Sequence, residues 1–224
     1  MVTTFEDRLA KLRQSFNAMG VDVSEQIYQA TKSYIDHDVE LAEKVKLDDA
    51  EVNDNESHME KHAMNLIALQ QPVATDFRVI MSFLKAGTDM ERIGDAAVGI
   101  SKETILAKGN PRMPEIEEVI AKMTKHIRKM LEQILGAYTT FNANIATEIV
   151  QEDHKIDQYY ASTRIAITKG ILAHPETAVA ASSYLMVIRY LERIGDHIVN
   201  LAEYLIYSET GKIVELGETD FREN

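Results

Sequence analysis

Cysteine is absent from the 224 residues, which excludes disulfides, thiolate metal sites and a cysteine nucleophile. No apolar run approaches the ~18 residues of a membrane span, and no signal-like charged and apolar pair of regions opens the chain. A cytoplasmic protein is expected. Positive charge is scarce: the net charge is -12 and the isoelectric point is near 5.0. That balance argues against a nucleic-acid partner, because phosphate binding needs a basic surface. It suits cations or basic partner proteins. No Gly-rich phosphate loop or nucleophile elbow occurs, and no histidine completes a Glu-x-x-His pair. Nothing here calls for an enzyme.

Only four prolines and ten glycines punctuate the chain, and the segments between them follow a helical rather than a two-residue period. The fold class is therefore all-α. Phe5, Leu9, Leu12, Phe16, Met19, Val23, Ile27, Ala30 and Tyr34 form the apolar stripe of a first long helix. Asp-His-Asp at 36–38 offers cap chemistry for a second helix running to about Leu69, and Gln-Gln-Pro at 70–72 ends it. A third runs from about Thr75 to Lys108. After the Gly/Pro-rich break at 109–114 the plan repeats, with helices expected over about 115–141, from the Asn-Ala-Asn at 142–144 to Ala173, and from the His-Pro at 174–175 to Ser208.

The repeat has a register. At an offset of 104, Val23 meets Ile127, Ile27 meets Leu131, Tyr34 meets Tyr138 and Asp49 meets Asp153. Shortened turns around Pro72 and Pro175 reduce the offset to 101, at which the pentapeptide Glu-Arg-Ile-Gly-Asp at 91–95 falls on its copy at 192–196. Two homologous three-helix bundles, residues 1–110 and 111–224, are the reading this supports, related by a pseudo-twofold axis.

Each pentapeptide puts two carboxylates one turn apart on one helix face. Counting from the turn near His174 at ~1.5 Å per residue, Glu192 and Asp196 stand level with Asp157 and Asp153, all ~24–30 Å from that turn. In the first half Glu91 and Asp95 face Asp49 and Asn53 more loosely. Clustered carboxylates repel unless they are protonated, paired with bases or holding a cation. The bland explanation is that Arg92 and Arg193 neutralise them as surface ion pairs. The chemical one is a metal site, whose oxygen ligands would favour Mg²⁺, Mn²⁺, Ca²⁺ or iron over copper or zinc. An apolar seam of Leu191, Ile194, Ile198, Leu201 and Leu205 on the sixth helix would place Glu192 and Asp196 at the rim. His58 and His62 lie well around their helix from Asp49 and Asn53. His154 and His197 adjoin carboxylates in sequence and could join a site, although neighbouring helical residues diverge by about 100°.

The two pentapeptides, the Gln70–Arg78 stretch QQPVATDFR and the 196–207 stretch DHIVNLAEYLIY closely resemble the PhoU family over nearly the whole chain. That resemblance implies a cytoplasmic regulator of phosphate uptake, tied to the ATPase of a phosphate ABC transporter and to a membrane sensor histidine kinase, repressing the phosphate-starvation response. It also implies metal clusters on Glu/Asp-x-x-x-Asp motifs, here Glu91, Asp95, Glu192 and Asp196 with Asp153 and Asp157 facing; Fe, Mn or Mg are the candidate ions. A homodimer is the expected assembly. The first half departs from its twin, with Asn53 in place of a carboxylate, Gly99 for Asn200 and Lys102 for Glu203. A di-metal carboxylate oxidase or iron-handling bundle is the alternative from another class.

Overall fold

Short, capped turns set the direction of every helix. Thr4 opens α1 (Phe5–Asp36) with a reciprocal capping box to Asp7, and His37 closes it in the left-handed conformation. Asp38 then caps α2 (Val39–Gln70) by accepting from the Leu41 amide, 2.9 Å away. Gln71 closes α2 in the same left-handed way, and α3 (Ala74–Ala107) follows within three residues. Pro114 occupies the first turn of α4 (Pro114–Thr140), where its missing N–H costs nothing. Short 3₁₀ turns at Ala143–Ile145 and Pro175–Thr177 lead into α5 (Ala146–Ala173) and α6 (Ala178–Thr210). In this computed structural model, residues 4–216 are described, and no strand occurs among them.

Connections this short make consecutive helices antiparallel, so α1–α3 form one three-helix bundle and α4–α6 a second. The apolar stripes read from the sequence are the core: Leu12, Phe16, Val23 and Ile27 on α1, and Ile120, Ile127, Leu131 and Ile134 on α4, are fully buried. The bundles do not stay apart. From Ala96 to Ser101 every residue of α3 is buried, a pattern no helix of an isolated three-helix bundle can show, because one face would meet water. The other side of α3 is covered by α6, whose Gly195, Ile198, Val199, Leu201 and Ala202 are buried in the same manner.

The seam reveals the symmetry. Asp89 on α3 accepts from the Asn200 amide of α6 at 3.0 Å, while the Tyr190 ring of α6 lies over Gly99 of α3. Tyr190 and Asn200 stand 101 residues beyond Asp89 and Gly99, so the two contacts exchange under a pseudo-twofold axis perpendicular to antiparallel α3 and α6. The symmetry is of position and not of chemistry. Asp89 also meets His197 Nδ1 at 2.6 Å; burial works against its charge, but hydrogen bonds from His197, Asn200 and Tyr204 hold its carboxyl below the usual range. One continuous core runs through both bundles.

Residues 1–110 and 111–224 produced separately would each expose one side of this seam, at about 1.5–3 kcal/mol for each large aliphatic side chain uncovered. Neither half alone is expected to give the cooperative thermal transition of the whole chain by circular dichroism, and mixing the halves should restore it. Two monomeric halves that each melt as sharply as the intact protein would contradict the shared core.

Candidate metal centre

In the second bundle α5 and α6 approach each other across Gly195. A Cβ there would lie 2.4 Å from Asp153 Oδ1, so only glycine leaves room for that carboxylate between the helices. Asp153 is consequently 8% exposed, while Glu192 and Asp196 on α6 keep the half-buried and exposed positions of a rim. Asp157, one turn along α5, and Asp196, across on α6, join it: the three can each offer an oxygen within 4.8 Å of the others. Asp157 is half-buried and Asp196 opens to solvent, giving the group a closed floor and an open mouth. Glu192 stands one turn from Asp196. Its Oε1 accepts from Arg189, whereas its Oε2 is buried without a hydrogen-bond partner, as is Oδ1 of Asp153.

The electrostatics follow from this geometry. Burial first, then the charges of Asp157, Asp196 and Glu192, push the Asp153 carboxyl up to about 8. Burial and Asp196 raise Glu192 to about 7 against the pull of Arg189. Asp157 and Asp196 are raised as well, chiefly by burial. Lys155 and His126 both pair with Glu152, while the charges of Arg189 and Arg193 pull on Glu192 and Asp196 only enough to offset part of their rise. His197 turns to Asp89 in the seam, and His154 is exposed outside the group. An orphaned oxygen on an Asp153 nine-tenths buried, beside Asp157 and Asp196 with no ion pair of their own among the described residues, fits a hard cation with oxygen ligands.

The first bundle has the same backbone and a different solution. Asp49 occupies the position of Asp153, but its Oδ1 accepts from Gln26 Nε2 at 2.9 Å and its Oδ2 from Asn53 Nδ2 at 3.3 Å. Gln26 Oε1 lies 3.0 Å from where a Gly94 Cβ would be, so the amide fills the space beside the glycine. Arg92 reaches Asp95 at 3.3 Å and Glu91 at 3.6 Å, the surface neutralisation that the bland reading described. Glu91 is raised by burial and by Asp95, yet among the described residues these side chains form no group close enough to share an ion. Gln26 was not singled out by motif. Its signal was the 104-residue register, which sets it opposite Met130.

Comparison with known proteins gives the same repeat. The PhoU domain model matches this chain twice, over residues 16–104 and 120–205. The phosphate-specific transport system accessory protein PhoU homolog of Streptococcus pneumoniae is 36% identical over 217 residues, covering 96% of this chain and 100% of that protein. The corresponding homolog of Pseudomonas aeruginosa is 30% identical, covering 98% and 91%. Among solved structures, the phosphate transport system regulatory protein PhoU from Streptococcus pneumoniae superposes with a TM-score of 0.88 at 34% identity, over 95% of this chain and all of that one. PhoU from Pseudomonas aeruginosa gives 0.86 at 30% identity, over 93% and 100%.

The raised carboxyls make stability depend on pH. Their folded pKa values lie above the unfolded ones, so their contribution is fully present below ~pH 4 and is lost as pH rises through 7 and 8. Metal-free protein should therefore lose thermal stability between ~pH 4 and ~pH 8, and Asp153→Asn should recover at least ~1 kcal/mol at pH 8, about 2–4 °C in Tm for a chain of this size. An Asn variant with the wild-type pH profile would mean that Asp153 is not the strained group.

Proposed function

This chain belongs to the PhoU family, and from that premise we propose that it is a non-enzymatic, cytoplasmic regulator of phosphate uptake, an adaptor between a phosphate ABC transporter ATPase and a membrane sensor histidine kinase that holds the phosphate-starvation response off when phosphate is plentiful. The observation that carries this reading is the doubled domain match together with near-complete coverage of relatives named as phosphate transport accessory or regulatory proteins. The build agrees with an adaptor. Its long helices offer extended surfaces, no helix among the described residues is long and apolar enough to cross a membrane, and the membrane is reached through partners. A homodimer is the assembly proposed with it.

Asp153, Asp157, Asp196 and Glu192 would hold the metal, with Mn, Fe or Mg as the candidate ion. When bound, it supplies positive charge that fixes α5 against α6 and neutralises an acidic surface. The chain's own side chains do the rest: Gly195 admits Asp153, Arg189 orients Glu192, and burial keeps protons on the cluster until a cation displaces them. In the first bundle Asp49, Asn53, Glu91 and Asp95 would contribute a weaker site at most, because Gln26 and Asn53 already satisfy Asp49. The metal tunes a surface and performs no turnover.

Deletion of the gene should switch on phosphate-starvation genes in phosphate-rich medium; normal repression without the protein would refute the regulatory assignment. Glu192→Ala with Asp196→Ala should lower Mn or Fe bound per chain, read by elemental mass spectrometry, well below the loss from Glu91→Ala with Asp95→Ala. That variant should still fold and keep part of the repression. Equal metal losses would contradict the asymmetry, and complete loss of repression by the folded variant would make the metal central to signalling.

A further inference from the structure

On the face opposite the α3–α6 seam, α1 and α4 pack against each other across the same pseudo-twofold axis, and Asn17 Nδ2 donates to Thr139 Oγ1 at 3.0 Å. Ser24 and Arg128, 104 residues apart in sequence, meet on that axis through a 3.1 Å hydrogen bond from Arg128 Nε. Around them a groove of about 1580 Å³ lies open between the two helices. Most of its lining is carbon surface, with Val21, Tyr28, Ile35 and Leu135 set among Ser24, Thr31, Thr124 and Arg128. The Thr31 and Thr124 hydroxyls donate to their own helix carbonyls at Ile27 and Ile120, both at 2.8 Å, and so turn their methyl groups to the groove. Val21 and Tyr28 remain 64% and 41% exposed along one side. Arg128 stacks on the Tyr28 ring at 4.9 Å, holding that aromatic face in place.

The walls carry opposite charge. The α1 side carries Asp22, Glu25 and the mutually paired Lys32 and Asp36, and the α4 side carries Lys122, Lys125, Arg128 and Lys129 against the single acid Glu132, with Arg128 reaching Glu25 at 3.8 Å. Glu25 and Lys129 are equivalent positions of the two repeats, so the symmetry of the backbone is broken here by a reversal of sign. Asp22, Lys122 and Lys125 make no ion pair among the described residues, which leaves both walls with charge to offer. From Asn17 to Asp36 the groove runs ~28 Å at 1.5 Å per residue, the length of about five turns of a docked helix.

We propose that the α1–α4 groove is the docking site for a single amphipathic helix of a protein partner, its apolar face on the floor, its basic edge along α1 and its acidic edge along α4. A second copy of this chain fits less well, since it would bring an identical hollow to this one and leave both floors uncovered. A uniformly charged ligand meets repulsion from one wall. The proposal deepens the adaptor reading and rests on it only for the existence of a protein partner.

Photo-crosslinking in cells with the full chain tests it. The photoreactive residue p-benzoylphenylalanine replaces Val21, or Leu47 on α2 as a position outside the groove. The Val21 position should give a product that the Leu47 position does not. Sequencing of its crosslinked peptide should show apolar residues at i, i+3, i+4 and i+7, flanked by Lys/Arg on one edge and Asp/Glu on the other. Lys125→Glu with Lys129→Glu, checked for unchanged thermal melting, should cut the yield at least tenfold. A product that is a second copy of this chain, a peptide lacking that pattern, a yield indifferent to the charge reversal, or no product from Val21 would each overturn the proposal. A patterned helix from a protein unconnected with phosphate transport would uphold the groove and sink the adaptor reading alone.

Discussion

Burial of the Asp153 carboxylate without a compensating base is the constraint on which the second bundle is organised. Three features go with it: a glycine at 195 where any Cβ would strike the carboxylate, neighbouring acids whose charges add to burial in raising its carboxyl, and Lys155 and Arg189 committed to Glu152 and Glu192 instead. An unpartnered buried carboxylate oxygen is among the more expensive things a core can hold. Where the fold accepts that cost at one place and avoids it at the equivalent place, the difference carries functional information.

The equivalent place is Asp49. Two amides, Gln26 and Asn53, take up both of its oxygens, and Arg92 covers the acids across from it. The two halves thus keep one backbone while one is chemically saturated and the other leaves an oxygen of Asp153 and one of Glu192 without a hydrogen-bond partner. The same division appears elsewhere on the axis. Asp89 meets His197 and Asn200 where its counterpart Tyr190 packs on Gly99, and Glu25 faces the groove where its counterpart is Lys129. Duplication supplied the architecture, and divergence at paired positions gave each end and face its own chemistry.

Much of this was legible in the sequence because helical period and repeat register are local or nearly local signals. The stripe from Leu12 to Ile27 and its copy from Ile116 to Leu131 mark the core directly, Asp38 marks a helix start by its cap chemistry, and the Gly/Pro-rich 109–114 marks the break between the repeats. The meeting of Asp153, Asp157 and Asp196 followed from counting rise per residue to a known turn. What did not follow was depth. A carboxylate's burial depends on how closely α5 approaches α6, and that distance is set by Gly195, whose role becomes visible only with both helices in place. Gln26 was overlooked for a related reason: on α1 it reads as one more polar position, and only its partner across the bundle gives it meaning. The α3–α6 seam was likewise hidden, since consecutive burial from Ala96 to Ser101 reflects packing by a helix from the other repeat.

The central claim is that the second-bundle cluster stores protons that a cation must displace. Calorimetric titration of Mn²⁺ into metal-free protein at pH 7, repeated in buffers of different ionisation enthalpy, counts the protons released on binding. The expected result is saturable binding with release of about one proton per site at pH 7, which fades above pH 9 and is reduced in Asp153→Asn. Binding with no proton release at pH 7, or release unchanged when Asp153 is replaced, would contradict it.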